Sequence, residues 1–148
     1  MATLITLLST FAFAILVRLI FFNQQPINYR LCGRIALAAM LLFAGISHFL
    51  LDDGMVQMLP NFVPFRYLII YITGIIEIFF AVGLLLPKYS RLTGIFIIVF
   101  LICVFPSNVY AAINSVDFGG NENGPLYLLF RIPLQVFFIG WTWIMAVR

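Results

Sequence analysis

The sequence predicts an all-α integral membrane protein with five spans in one compact domain. Of its 148 residues, 64% are hydrophobic and 9% are charged, and the mean hydropathy is +1.15. A soluble domain typically has about 25% charged residues. The apolar residues also gather into five segments, each close to the roughly 20 residues that an α-helix needs to cross a bilayer core. A soluble domain does not need this much apolar surface to form its core, so the composition indicates a membrane protein.

The five predicted spans are apolar segments flanked by polar or turn-forming residues. They cover residues 3–22, 31–51, 67–86, 92–113 and 126–147. The first segment has the alternative of a signal peptide, but it lacks a basic start and a small-x-small cleavage site, so we interpret it as a true helix. The short connection PKYSR, residues 87–91, is a tight turn that makes the third and fourth spans antiparallel neighbours.

The charged residues are divided between alternate connections, and this division predicts the orientation. One side carries Arg18, Arg30, Arg34, Lys88, Arg91 and Arg148, and the other carries Asp52, Asp53, Asp117 and Glu122. Only Arg66 and Arg131 oppose the trend. The positive-inside rule then places the N-terminus outside and the C-terminus in the cytoplasm. The lack of a transit peptide suits a bacterial inner membrane. The basic residues form no dense patch, so no nucleic-acid partner is expected.

The two cysteines predict no disulfide and no dithiol redox site. Cys32 lies at one membrane edge and Cys103 lies inside the fourth span. At about 1.5 Å per residue they differ in depth by about 15 Å, which is too far for a bridge within one chain. They are expected to pack as small hydrophobic side chains.

The segment 52–66 is too short to span. Its apolar residues recur at roughly helical spacing and are interrupted by Pro60 and Pro64. We expect a broken amphipathic turn in the outer interface, and a candidate contact surface for a membrane or extracytoplasmic protein partner. On the same side, residues 114–125 are rich in turn formers and are expected to be a mobile loop.

The strongly polar side chains inside the spans share one half of the membrane. Counted from the outer edge at about 1.5 Å per residue, His48 is about 4 Å deep, Asn108 and Arg131 about 7 Å, and Glu77 and Gln135 about 14 Å. Such residues are costly in a bilayer, at about 2.5 to 3.5 kcal/mol for a central charge, and each therefore needs a partner or a purpose. We predict one buried polar cluster of these five side chains, in which Arg131 reaches Glu77 or Gln135.

Each of these residues also has a purely structural interpretation. His48, the only histidine, can be a hydrogen-bonded packing residue, and Arg131 can extend to the outer headgroups. Asn108 and Gln135 can be hydrogen-bonding links between helices. Glu77 is harder to explain in this way, because a carboxyl at that depth must be protonated, paired or exposed to a cavity.

The chain resembles the DoxX family of small membrane proteins. Five pieces in order carry the resemblance: AGISHF (44–49), MLPNFVP (58–64), TGIIEIFFAVGLLLP (73–87), FPSNVYAA (105–112) and FRIPLQ (130–135). The resemblance covers about four fifths of the chain. It implies an antiparallel four-helix transmembrane bundle formed by residues 31–148, preceded by an additional N-terminal helix and inner linker in residues 1–30.

The resemblance also implies that His48, Glu77, Asn108, Arg131 and Gln135 occupy the polar positions typical of the family. Family members have been linked to membrane oxidoreductase systems, among them a thiosulfate:quinone oxidoreductase subunit. We therefore expect a redox-associated subunit whose polar cluster binds a quinone or another amphiphile. The chain has no haem-ligand pair, iron–sulfur spacing, dinucleotide loop or metal site, so we expect no intrinsic cofactor and no enzyme activity by this chain alone.

Two other functions stay open. The protein can be a non-catalytic assembly factor or scaffold, as a looser eukaryotic relative of the DoxX family, a receptor-assembly chaperone, suggests. It can also be an intramembrane acid/base enzyme that acts on a lipid through His48 and Glu77. The sequence alone does not specify the ligand, the partner or the oligomeric state.

Overall fold

The structure is a computed structural model that describes residues 2–21 and 28–148. Within these ranges it contains helices, turns and no strand. The long helices are α1 (Ala2–Phe21), α2 (Tyr29–Leu50), α4 (Arg66–Leu85) and α5 (Ser90–Ile113), and α3 (Asp52–Gln57) is a short helix between α2 and α4. A 3₁₀ helix (Asn121–Tyr127) leads into α6 (Leu128–Thr142), which ends in a π-helical turn (Trp143–Val147).

Five helical segments are long and apolar enough to cross a membrane, as the sequence predicts. They are Ala2–Phe21, Tyr29–Leu50, Arg66–Leu85, Ser90–Ile113 and Asn121–Val147. Their bounds lie close to those predicted, although the 3₁₀ helix lengthens the last segment at its start. The predicted end of the first span at residue 22 and the linker that follows it lie outside the described residues.

Apolar side chains cover the outward faces of these helices. Phe13 is 64% exposed, Phe79 70% and Leu129 75%. A water-soluble monomer rarely exposes contiguous apolar patches of this kind. The outer surface of the molecule is therefore suited to hydrocarbon.

The core lies among α2, α4, α5 and α6, and α1 contributes the fully buried Leu7. Leu37, Leu41, Leu84, Ile97 and Phe138 are buried there. The α2–α4 interface is the most extensive, α1 packs against α2, and α6 meets α2 mainly through its π-helical turn. The helices are therefore joined most extensively through α2, which packs against both α4 and α1.

Small residues and one indole hold the C-terminal end of α6 against α5 and α2. A Cβ at Gly94 of α5 would lie 2.9 Å from Ala146 and Val147, so this glycine allows the π-helical turn to approach closely. The Trp141 indole N–H donates to the Gly33 carbonyl of α2 at 3.2 Å. Phe11 of α1 packs edge-on against the Trp141 ring, with centroids 4.9 Å apart.

Both cysteines are free thiols, as predicted. Both were also expected to be buried; Cys32 is buried, but Cys103 is exposed on α5, so that expectation was wrong for Cys103. The connection between α5 and α6 differs from the expected mobile loop, because Asn121 is fully buried and its side-chain amide donates to the Phe118 carbonyl at 2.7 Å. Phe118 in turn lies against Gly54 of α3. The two connections therefore meet at one end of the molecule, which we call the α3 end.

Candidate functional site

His48 lies in the last turns of α2 and faces α4. Its Nδ1 is 2.9 Å from the Ile70 carbonyl oxygen and 3.2 Å from the Thr73 hydroxyl. The Thr73 hydroxyl also donates to the Ile70 carbonyl at 2.8 Å. A carbonyl oxygen can only accept, so we infer that Nδ1 carries a hydrogen and that Nε2 is the atom free to gain or lose a proton.

Glu77 is the acidic partner of His48. Its side chain projects from α4, the residue is 9% exposed, and Oε2 lies 3.6 Å from His48 Nε2. The same Oε2 is buried and has no hydrogen bond. The pair can thus hold one proton on either of two atoms: with the proton on Nε2 both groups are charged, and with the proton on Oε2 both groups are neutral.

Two glycines bring α2 and α4 close enough for this contact. A Cβ at Gly45 would lie 2.8 Å from the Gly74 carbonyl oxygen, and a Cβ at Gly74 would lie 2.7 Å from His48 Cβ. Only glycine leaves room for the two backbones at this crossing. The His48–Glu77 pair therefore depends on the crossing directly beside it.

A second polar group links α5 and α6. The Arg131 Nη2 donates to Asn108 Oδ1 at 2.5 Å, and the Gln135 side-chain amide donates to the Leu101 carbonyl at 2.6 Å. The carbonyl next to Leu101, that of Ile102, is the one that loses its helical partner because Pro106 has no N–H. Gln135 thus supports α5 where its backbone is perturbed.

The structure divides the predicted cluster into two groups. His48 and Glu77 meet between α2 and α4, whereas Asn108, Arg131 and Gln135 meet between α5 and α6. Among the described residues no ion pair joins Arg131 to Glu77, and no hydrogen bond joins Arg131 to Gln135. The expected partner of Arg131 was therefore wrong, because α6 lies against α5 and makes few or no contacts with α4, the helix that carries Glu77.

The comparisons with known proteins identify a family and no function. A family model described as a domain of unknown function, DUF8561, matches residues 37–146. The chain belongs to the DUF8561 family. No curated protein and no solved structure matches it. The DUF8561 range begins within α2 and contains all five predicted site residues, and α1 lies outside it.

The residues that attach α3 to α4 were not predicted as site residues from the sequence. The Tyr71 hydroxyl donates to Asp52 Oδ2 at 2.5 Å, and the Tyr67 hydroxyl donates to Asp53 Oδ1 at 2.8 Å. Phe49 stacks on Tyr71 with the two rings parallel and their centroids 5.6 Å apart. Two adjacent acids followed by two tyrosines at helical spacing were the available signal. These contacts hold α3 beside the His48 end of α2.

The arrangement combines a proton-exchanging pair with an uncompensated cation. Among the described residues, Arg131 bonds only the neutral amide of Asn108 and lies 5.9 Å from the Tyr127 ring centroid. A guanidinium carries further N–H donors, and these can reach a carbonyl or an anionic headgroup. The guanidinium can therefore bind a polar head, and the His48–Glu77 pair can take up or release a proton.

Proposed function

We propose that the chain crosses a bacterial inner membrane five times as an antiparallel four-helix bundle with an additional N-terminal helix, its N-terminus outside and its C-terminus in the cytoplasm. The five apolar helices and their exposed hydrophobic faces support insertion. The division of charges between alternate connections supports the orientation. In this arrangement the α3 end faces outward, and both polar groups lie in the outer half of the membrane.

We further propose a DoxX-like, redox-associated subunit that binds a quinone or a similar amphiphile at these groups. The observation that carries the proposal is the His48–Glu77 pair, buried within the apolar helices with Nδ1 held by the Ile70 carbonyl. Ionisable groups inside spans are costly and characteristically mark proton or substrate pathways. A packing role for His48 alone leaves the unbonded Glu77 oxygen unexplained.

The chemistry of a quinone matches the groups present. Reduction of a quinone to a quinol consumes two electrons and two protons. The His48–Glu77 pair passes the protons to the head one at a time and is reprotonated from the outer aqueous side, and the Arg131 and Gln135 N–H groups orient the carbonyl oxygens of the head. The electrons come from a partner protein of the membrane, with the quinone as the diffusible carrier. The chain itself supplies binding, orientation and proton exchange.

A quinone titration of the purified protein tests this proposal. The wild-type protein is expected to bind a quinone saturably, measured by quenching of tryptophan fluorescence. Glu77→Leu is similar in size but removes both oxygens and leaves His48 Nε2 without a partner, so we expect the affinity to fall about tenfold or more. Asp117→Leu, at an exposed loop carboxylate, is the matched control and should leave the affinity unchanged. Absence of saturable binding, or equal affinity in all three proteins, would contradict the proposal.

A second candidate function is a non-catalytic scaffold that contacts a partner through residues 52–66. The observation in its favour is that Phe62 is 86% exposed and Phe65 79% exposed in this segment, which the tyrosine contacts attach to α4. The titration separates the two functions. A pure scaffold binds no quinone, and Glu77→Leu then affects only its stability.

A further inference from the structure

We infer that the quinone carries a long isoprenoid tail, and that this tail leaves the polar head along the contact between α5 and α6 and lies in an apolar groove on the surface of the molecule. This inference rests on the proposed function and specifies its ligand. It assigns the head to Arg131 and Gln135 and the tail to residues that play no part in the polar groups. The argument follows from where the groove lies, how far it is from Arg131, and what lines it.

The groove is a cleft of about 370 Å³ on the side of α5 and α6. It is lined by Ile95, Ile98 and Val99 of α5, by Ile139 and Gly140 of α6, and by the turn that follows. No polar surface lines it. Its walls therefore suit a hydrocarbon chain and offer nothing to a polar head.

The groove continues directly from the polar group. Ile139 is one helical turn beyond Gln135 on α6, and Val99 is two residues before Leu101, whose carbonyl accepts from Gln135. Arg131, Gln135 and Ile139 are spaced four residues apart and so follow one side of α6. A molecule whose head lies at Arg131 thus meets Gln135 next and the apolar groove after it.

The distance also fits a membrane lipid. Nine residues separate Arg131 from Gly140, or about 14 Å along the helix axis at about 1.5 Å per residue. One leaflet of a bilayer core is about 15 Å deep, half of the roughly 30 Å hydrocarbon thickness. Because Arg131 lies about 7 Å below the outer edge, Gly140 lies about 21 Å deep, which is about 6 Å beyond the bilayer midplane. Only a long tail that starts at Arg131 reaches the groove at this depth.

Gly140 keeps the groove open. A Cβ built at this residue would meet no other atom within 4 Å, unlike the glycines at the helix crossings. A larger side chain at this position would project into the groove without displacing the backbone. This makes the groove testable by a substitution that leaves the helix packing intact.

The alternative occupant is a helix from a second copy of the chain, since a small residue in an apolar cleft also allows close helix packing. The continuity with Arg131 favours the tail. A neighbouring helix would not explain why Arg131, Gln135 and the cleft follow one another along the same side of α6. An amphiphile has a polar end and an apolar end in that order.

The test compares two quinones that share one head, one without a tail and one with a long isoprenoid chain, titrated into the same detergent-solubilised wild-type and variant proteins. Gly140→Leu is expected to weaken binding of the tailed quinone about 3- to 10-fold and to leave the tail-less quinone within about twofold. The loss is moderate because the tail exchanges one apolar environment for another and gains only closer packing. Ile95→Phe, which narrows the groove from α5, should act in the same way. Val136→Leu, on an exposed part of α6 outside the groove, is the matched control.

The outcomes separate this inference from the proposed function. If the wild-type protein binds both quinones and Gly140→Leu and Ile95→Phe change neither, the tail site is overturned and the head site stands. If neither quinone binds, both the proposed function and the tail site are contradicted. If Gly140→Leu changes the oligomeric mass of the protein but not its affinity for the tailed quinone, the groove belongs to a second copy and the inference is wrong.

Discussion

Replacement of Gly74 by leucine is expected to separate α2 from α4 and to lower the free energy of unfolding by about 3 kcal/mol, the upper end of the usual cost of overpacking. A Cβ at this residue would lie 2.7 Å from His48 Cβ and 3.0 Å from the Gly45 carbonyl oxygen. Neither atom can rotate away, because one is fixed to the backbone and the other belongs to it. The measurement is the free energy of unfolding of the purified protein in a denaturing detergent.

Gly140→Leu is the matched control for this experiment, since it makes the same chemical change at a position where an added Cβ would meet no atom within 4 Å. Glycine in a helix interior costs roughly 0.5 to 1 kcal/mol relative to alanine, so Gly140→Leu should be neutral or slightly stabilising. Equal stability of Gly74→Leu and the wild type would show that α2 and α4 do not cross at these glycines. The described packing of α2 against α4 beside the His48–Glu77 pair would then be contradicted.

Replacement of Arg131 by methionine is expected to reduce the quinone affinity about 10- to 100-fold. A hydrogen bond from a charged donor contributes about 1.5 to 3 kcal/mol, which corresponds to this range. Methionine keeps much of the apolar length of the arginine side chain but supplies no N–H. The loss of quinone affinity therefore measures the contribution of the guanidinium. The measurement is the same fluorescence titration.

Two controls accompany Arg131→Met. Arg66→Met removes an exposed guanidinium that bonds Asn61 at 3.0 Å and should leave the affinity unchanged. Asn108→Leu removes the protein partner of Arg131 and keeps the charge, so it should weaken binding less than Arg131→Met does. Loss of affinity in Arg66→Met as large as in Arg131→Met would indicate a general effect of positive charge and would contradict a specific contact.

The sequence predicts the long helices well because a single property, the length of an apolar segment, determines them. The bounds of α2, α4 and α5 follow from the polar and turn-forming residues at their ends. The same regularity allows counting along each helix to predict a common half of the membrane for His48, Glu77 and Arg131. Position along a helix axis needs only the rise per residue.

The pairing of the polar side chains could not be predicted in this way. It depends on which helices are neighbours and on how each is rotated about its axis, and one residue turns an α-helix by about 100°. Arg131 illustrates the difference, since its depth suggested Glu77 or Gln135 but its neighbouring helix supplied Asn108. The attachment of Tyr67 and Tyr71 to Asp53 and Asp52 was missed for the same reason.

The central claim is that His48 and Glu77 share one proton and exchange it with a bound quinone. Infrared difference spectroscopy of the membrane-reconstituted protein, recorded on addition of quinone, measures this directly through the C=O stretch of a protonated carboxyl. The wild-type difference spectrum is expected to contain a carboxyl band that disappears in Glu77→Gln and shifts in His48→Gln. A spectrum without such a band, or with the same band in Glu77→Gln as in the wild type, would contradict the account.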